Sequence, residues 1–195
     1  MNLAHFLTCL RLVISPLFPI FYLGYESFGI SLQMLPVILL SLLFLTETTD
    51  IFDGFFARRF NQVTDLGKVL DPMADSVVRI SLFFSFTQGF VQLPLMLVLV
   101  FLYREFIIST LRTLCALRGV ALGARTSGKV KTVMQGIVAF LIVLLMIPYS
   151  MGYLSLELFQ QISRSAVTVA AVYTLISAFD YFYSNRSYIV RAFQG

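Results

Sequence analysis

Long apolar runs separated by short polar segments set the pattern of this chain. Each run is about twenty residues long, which is enough for one helix to cross a lipid bilayer. Pro16 and Pro19 predict a kink in the first run, and residues 88–94 predict a tight uncharged turn. Pro72 is expected in the first turn of the third run. The predicted spans are 6–25, 32–56, 67–87, 95–117, 132–149 and 165–183.

Composition supports this pattern. The 195 residues are 58% hydrophobic and 12% charged, and a soluble domain carries roughly 25% charged residues. The basic residues are scattered between apolar runs rather than clustered on a soluble module, which argues against a nucleic-acid partner. The predicted fold class is therefore an all-α integral membrane protein. It forms a bundle of about six transmembrane helices in one domain over residues 1–195.

The basic residues also predict how the bundle is oriented. The connections at 25–31, 88–94 and 150–164 contain a single basic residue, Arg164. Because Lys and Arg collect on the cytoplasmic side of membranes, both termini are predicted to be cytoplasmic. A bacterial plasma membrane fits best, and a mitochondrial inner membrane is the alternative. The basic residues of the other side are Arg58, Arg59, Lys68, Arg118, Arg125, Lys129, Lys131, Arg186 and Arg191.

Four carboxylates form the first candidate site. Asp50 and Asp53 are three residues apart, and Asp71 and Asp75 are four apart, so each pair shares a helix face. All four fall where two predicted spans meet water, and acids at membrane depth mark functional sites by default. Carboxylate oxygens suit Mg²⁺ or Mn²⁺, and two such ions about 3.5–4 Å apart would clamp a phosphoryl group.

Small and basic residues follow the first pair of acids. Gly54 and Ala57 keep the face beside Asp53 open to a ligand, and Arg58 offers a guanidinium to a phosphate oxygen. The alternative is a solvated cytoplasmic loop in which the acids pair with neighbouring basic side chains. That loop would not require Gly, Ala and Arg at fixed offsets, so the spacing favours a site.

The whole acidic stretch resembles the signature of the CDP-alcohol phosphotransferases. It reads Asp50-x-x-Asp53-Gly54-x-x-Ala57-Arg58, eight residues, Gly67, three residues, Asp71, three residues, Asp75. The resemblance implies a membrane enzyme that transfers a group from a CDP-linked donor to an alcohol and releases CMP. It also implies that Asp75 is the general base and that the protein is a homodimer. Donor-nucleotide contacts are implied for Asp50, Asp53, Gly54, Ala57, Arg58 and Gly67.

A second set of charges is predicted to bind a phosphorylated acceptor. Arg104, Glu105 and Arg112 interrupt the apolar fourth span, and Lys129 and Lys131 follow in a basic loop predicted over 118–131. Cations beside the acids would orient an anionic acceptor and offset its charge. In the alternative interpretation Arg104 and Glu105 form structural ion pairs and the lysines snorkel toward anionic lipid. The predicted phosphate ligands are Arg104, Arg112, Lys129 and Lys131.

Segments around this second set narrow the resemblance. They are similar to the branch of the family that makes phosphatidylglycerophosphate from CDP-diacylglycerol and glycerol 3-phosphate. The matching segments are Leu7-Thr8-x-x-Arg11, Arg104-Glu105-Phe106, Leu111-Arg112, Gly128-Lys129-Val130-Lys131-Thr132 and Gln135. Three positions depart from the pattern. Ala4 and His5 replace a usual Pro-Asn, and Ser76 replaces a common Lys, which bears on the acceptor preference.

Other functions remain open at this point. The acceptor could be inositol phosphate, phosphatidylglycerol or choline. A transporter or channel would spread its charges through the bilayer depth, whereas these acids crowd one interface. A catalytically silent membrane partner would not need all four acids.

Overall fold

The computed structural model describes the backbone of residues 3–59, 65–119 and 125–194, without the side chains of residues 3–5, 51, 53–59, 65–70 and 191–194. Within this part of the chain, seven α-helices occur and no strand. The all-α prediction is therefore confirmed. The helices are α1 Leu3–Ile14, α2 Leu17–Gly24, α3 Leu35–Arg59, α4 Asp65–Ser85, α5 Leu95–Leu117, α6 Thr126–Ser150 and α7 Leu156–Gln194.

Among the described residues, three stretches are long and apolar enough to cross a membrane by length and composition. They are Phe6–Gly24, Thr126–Ser150 and Leu156–Val190. The first stretch contains both α1 and α2. These are separate helices because the helix is interrupted at Pro16, where the kink was predicted. The total of six spans and the cytoplasmic position of both termini stay predictions.

Two helices begin earlier than the hydrophobic pattern indicates. Helix α6 starts at Thr126, so the predicted loop over 118–131 is too long and Lys129 and Lys131 lie on a helix. Helix α7 starts at Leu156, where Ser155 Oγ accepts a hydrogen bond from the Leu158 backbone N–H at 3.3 Å. Ser155 therefore caps the N-terminus of α7. The first turns that follow it contain polar residues, so a search for apolar runs does not include them.

Helix α4 also begins earlier than predicted, which changes the position of its proline. Because α4 starts at Asp65, Pro72 lies inside the helix and not in its first turn. The expectation for Pro72 was wrong. Its carbonyl oxygen accepts a hydrogen bond from Ser76 Oγ at 2.9 Å, which keeps the Ser76 side chain against its own helix.

The core runs along the length of the bundle. Helix α6 packs extensively on α7, and α1 packs on both α3 and α4. Fully buried side chains such as Phe18, Leu39, Leu82 and Ile142 come from four different helices and form one apolar cluster. Burying each of these side chains contributes roughly 1.5–3 kcal/mol relative to leaving it exposed to water. Packing of this kind holds α1, α3 and α4 side by side.

One end of the bundle is closed by aromatic side chains, and is called the aromatic end here. Tyr22 Oη donates to the Gln88 carbonyl and accepts from the Val91 backbone N–H, both at 3.1 Å. Gly89 has φ +66°, and a Cβ there would lie 2.8 Å from Tyr22 Oη, so only glycine fits. The predicted turn over 88–94 is thus confirmed. The rings that pack here are Tyr22, Phe86, Phe90, Tyr149 and Phe159.

The charged residues lie toward the opposite end. Asp71 and Asp75 occupy the first half of α4, whereas Phe86 directly follows its last residue. At 1.5 Å of rise per residue, the acids lie roughly 16–22 Å along the helix axis from the aromatic end. The acids therefore lie away from the aromatic end of the bundle, and their position at a membrane–water interface stays a prediction.

Candidate active site

An arginine of α1 brings two of the predicted acids together. Arg11 Nη1 donates to Asp50 Oδ1 of α3 at 2.5 Å and also to Asp75 Oδ1 of α4. Arg11 is among the largest fully buried side chains of the protein. Because both carboxylates contact the same nitrogen, Asp50 and Asp75 converge on one point.

A threonine of α1 holds the third acid. Thr8 Oγ1 donates to Asp71 Oδ1 at 2.7 Å. Thr8 and Arg11 are three residues apart on α1, and their partners Asp71 and Asp75 are four apart on α4, so two contacts lie one turn apart along these helices. The three carboxylates Asp50, Asp71 and Asp75 thus line one region beside α1, and this set is called the acid cluster below.

The remaining residues of the acidic signature belong to helices α3 and α4, but their side chains lie outside the described residues. Their predicted contacts with metal and donor nucleotide stay predictions. They are Asp53, Gly54, Ala57, Arg58 and Gly67.

The acid cluster fits a divalent cation in ligand type and charge. Among the described side chains, no group of three or more acidic, His or Cys residues forms a ready metal site, and Asp53 is not in that set. Asp50 and Asp75 are both partly exposed, and Arg11 is buried behind them. Each carboxylate has about four acceptor positions, so one contact to Arg11 leaves others for a metal ion. Hard cations prefer oxygen ligands of this kind.

The second cluster is centred on an acid. Arg104 Nη1 of α5 donates to Glu105 Oε1 at 2.9 Å, and Lys131 Nζ of α6 donates to the same oxygen. Ser76 Oγ of α4 lies 3.2 Å from the other oxygen, Oε2. Arg104 Nη2 reaches Ser177 Oγ of α7 at 3.4 Å. Four helices therefore meet at Arg104, Glu105 and Lys131, which are called the cation cluster below.

The other two predicted phosphate ligands lie apart from this cluster. Arg112 Nε donates to Tyr181 Oη at 3.2 Å, and its guanidinium lies 5.3 Å from the centre of that ring. Lys129 is exposed on the first turns of α6. The structure thus brings Arg104 and Lys131 together and holds Arg112 and Lys129 apart from them, and phosphate binding by all four stays a prediction.

The first turn of α6 is fixed to α7. Arg125 Nε and Ser127 Oγ both donate to Asp180 Oδ2, at 2.9 and 2.5 Å. This clamp orients the start of the helix that carries Lys131. Because this pair is exposed, it contributes little to stability, and its effect is to hold the start of α6 against α7.

Consecutive residues of α4 join the two clusters. Asp75 contacts Arg11, whereas the next residue, Ser76, contacts Glu105. One turn further along, Arg79 Nη2 lies 3.7 Å from Asp75 Oδ2. The acid cluster and the cation cluster are therefore neighbours on α4.

Sequence reasoning did not assign roles to Arg11, Ser76 and Arg79. A signal existed for Arg11, since it is the only formally charged residue in the α1 sequence and a lone charge in an apolar helix needs a partner. Ser76 was noted only as a departure from the family pattern that bears on acceptor preference, and Arg79 was only one of the basic side chains near the acids.

Comparisons with known proteins show the family of the chain. The model of the CDP-alcohol phosphatidyltransferase family matches residues 1–176. Three curated relatives are each named CDP-diacylglycerol–glycerol-3-phosphate 3-phosphatidyltransferase. That of Bacillus subtilis is 31% identical and covers 94% of this chain and 95% of its own. That of Sodalis glossinidius is 35% identical, covering 95% and 96%. That of Rickettsia typhi is 29% identical, covering 96% and 98%.

Proposed function

The chain belongs to the CDP-alcohol phosphatidyltransferase family, and we propose that it transfers the phosphatidyl group of CDP-diacylglycerol to glycerol 3-phosphate. The products are phosphatidylglycerophosphate and CMP. The names of the relatives describe this reaction, and these relatives are similar over nearly the whole chain. The protein is accordingly a transferase of phospholipid biosynthesis.

The observation that supports this function is the meeting of two oppositely charged clusters on α4. Asp75 belongs to the acid cluster, and Ser76 contacts the cation cluster. A nucleotide diphosphate bound through a metal requires acids, whereas a phosphorylated alcohol requires cations. Neighbouring clusters would hold the two substrates next to each other, and this proximity lowers the barrier to reaction.

Asp50, Asp53, Asp71 and Asp75 would hold two Mg²⁺ or Mn²⁺ ions. Bound metal supplies Lewis acidity that polarises the donor diphosphate and stabilises the CMP leaving group. Gly54, Ala57 and Gly67 would leave room for the nucleotide, and Arg58 would contact its phosphates. Arg11 keeps the carboxylates of Asp50 and Asp75 turned toward each other.

The reaction is a displacement at phosphorus. Asp75 would take the proton from the terminal hydroxyl of glycerol 3-phosphate, and the oxygen would bond to the phosphorus that carries diacylglycerol. The bond from that phosphorus to the oxygen of CMP breaks, and CMP leaves with the electron pair. A base must lie about 2.6–3.2 Å from the hydroxyl that it deprotonates. Arg104 and Lys131 would bind the acceptor phosphate, with Arg112 and Lys129 as further ligands.

Membrane placement is part of the proposal. CDP-diacylglycerol would enter from the bilayer with its acyl chains in lipid and its nucleotide at the cytoplasmic face of the plasma membrane. That placement requires the predicted orientation with both termini cytoplasmic. The functional unit would be a homodimer, as the family resemblance implies.

A direct assay tests this function. Purified protein in detergent is given CDP-diacylglycerol and one acceptor at a time: glycerol 3-phosphate, inositol phosphate, phosphatidylglycerol or choline. We expect CMP release with glycerol 3-phosphate, complete loss in EDTA, and recovery when Mg²⁺ or Mn²⁺ is added. A protein in which Asp50 is replaced by Asn is the matched control for metal dependence, since it should require more metal.

Other outcomes would change the assignment. Faster CMP release with a different acceptor would keep the family and change the substrate. No metal-dependent CMP release with any acceptor, from protein that remains folded, would contradict the enzymatic function and favour a transporter or a silent membrane partner.

A further inference from the structure

We propose that Glu105 is an internal counter-anion that occupies the place of the acceptor phosphate and must be displaced when a phosphorylated ligand binds. The proposal rests on the proposed function in that it concerns the same acceptor site. Its test uses inorganic phosphate, which binds without any reaction.

One oxygen of Glu105 accepts hydrogen bonds from both cations of the cluster. Arg104 Nη1 and Lys131 Nζ both donate to Oε1. A phosphate oxygen accepts hydrogen bonds from the same two groups in the same way. The carboxylate therefore already makes the contacts that a phosphate would make.

Glu105 lies closer to the protein surface than the two cations that it contacts. The side chain of Glu105 is 19% exposed, whereas those of Arg104 and Lys131 are 7% and 3% exposed. Glu105 is thus the outermost member of the cation cluster. An anion that approaches from water meets the carboxylate before it can contact either cation.

Glu105 can move away without leaving its other partner, Ser76, unpaired. Ser76 Oγ lies 3.2 Å from Glu105 Oε2 and 2.9 Å from the Pro72 carbonyl oxygen. A hydroxyl has one proton, so it donates to only one of these acceptors at a time. When Glu105 moves away, Ser76 still donates to Pro72, and no donor is left unpaired.

The cations retain capacity for an incoming anion. Arg104 Nε is a buried donor without a hydrogen-bond partner among the described residues. Leaving a buried donor unpaired costs about 1–3 kcal/mol. A phosphate with several acceptor oxygens can satisfy this donor together with Nη1, which a single carboxylate oxygen does not.

These contacts predict an unusual result for the neutral variant. In Glu105→Gln, two buried cations lose their anionic partner, so a phosphate meets less competition and more uncompensated positive charge. We expect inorganic phosphate to bind at least about tenfold more tightly, which equals ~1.4 kcal/mol. The KM for glycerol 3-phosphate should fall with it, while kcat does not rise.

The binding test is done in EDTA and without donor lipid. Titration calorimetry and thermal shift with sodium phosphate, and separately with glycerol 3-phosphate, compare the unaltered protein with Glu105→Gln. Glu157→Gln is the matched control, because Glu157 lies in the first turn of α7 and away from the cation cluster. Its phosphate affinity should equal that of the unaltered protein. Glu105→Asp provides a second variant that keeps the charge but withdraws it from the cations, and it should also bind phosphate more tightly.

The outcomes separate this proposal from the proposed function. Tighter phosphate binding by both variants supports the counter-anion even if no CMP is released with glycerol 3-phosphate. Unchanged or weaker binding by folded Glu105→Gln overturns it, even where the unaltered protein is an active transferase. Damage to the fold can only weaken binding, so a gain in affinity cannot come from a merely structural role.

Discussion

The acid cluster and the cation cluster place their central counter-charge at opposite depths. In the acid cluster the central Arg11 side chain is 1% exposed, while Asp50 and Asp75 are 42% and 25% exposed. In the cation cluster the order is reversed, because the central Glu105 lies outside Arg104 and Lys131. Both clusters pair one group with two of opposite charge, but only the acid cluster leaves the functional groups exposed at the protein surface.

This difference teaches how each cluster can bind a ligand. A metal ion can reach the carboxylates from the exposed side while Arg11 stays behind them as a fixed support. An anion cannot reach Arg104 and Lys131 until Glu105 moves. Removing Arg11 should therefore harm metal binding, whereas removing Glu105 should improve phosphate binding. Each prediction below tests one side of this contrast, from the largest effect to the smallest.

Replacing Asp75 with Asn removes the proposed base while keeping the shape of the side chain. General base catalysis contributes about 10²–10⁴-fold to a rate, and we expect CMP release to fall by at least ~10²-fold. Membrane insertion and the monodisperse elution of the detergent-solubilised protein should persist. The assay is CMP release at saturating metal, with Glu157→Gln as the control. Near-normal turnover of Asp75→Asn would remove Asp75 as the base.

Replacing Arg11 with Met leaves two facing carboxylates without their buried support. Breaking a buried ion pair costs about 3–5 kcal/mol, and the lower end applies because Asp50 and Asp75 are partly exposed. We expect a lower Tm in EDTA and about tenfold more Mn²⁺ for half-maximal binding, equivalent to ~1.4 kcal/mol. Thermal shift and Mn²⁺ titration by electron paramagnetic resonance measure both.

Arg11→Lys is the control for that experiment, because it keeps the charge but replaces the planar guanidinium, whose Nη1 contacts both acids, with an ammonium group. It should fall between Arg11→Met and the unaltered protein. Tighter Mn²⁺ binding by Arg11→Met would show that Arg11 competes with the metal, and the contrast between the two clusters would then disappear.

Replacing Ser76 with Ala removes one of the contacts that hold Glu105 over the cations. A hydrogen bond to a charged group contributes about 1.5–3 kcal/mol, and only part of this is lost because Ser76 shares its proton between Glu105 and Pro72. The expected effect is a decrease of about two- to threefold in the KM for glycerol 3-phosphate, with kcat unchanged. Steady-state kinetics measure this, and Ser41→Ala on α3 is a suitable control because Ser41 bonds only the Val37 carbonyl among its described contacts. A higher KM would mean that Ser76 helps to bind the acceptor directly.

Much of the fold could be predicted because apolar runs of spanning length have few alternatives. The kink at Pro16 and the turn over 88–94 were also correct, since proline and glycine act through their own backbone limits. The starts of α6 and α7 were missed by several residues. Polar first turns, such as the one capped by Ser155, carry no hydrophobic signal.

The candidate site was only partly predictable for a different reason. Helix spacing paired Asp50 with Asp53 and Asp71 with Asp75, and the resemblance of the acidic stretch implied one chemistry for all four. Arg104 and Lys131 were two of the four predicted phosphate ligands, and both contact Glu105. The spacing of Arg112 on the same helix suggested that it would join them, but its side chain turns to Tyr181.

By itself, the sequence determined which acids and cations form the two clusters. It also determined the apolar helices that carry them. These features follow from local spacing and from the cost of burying charge. Only the tertiary structure decided that Arg11 lies beneath the acids and that Glu105 lies above the cations. Depth depends on how helices far apart in the chain pack against one another, and no local pattern encodes that packing.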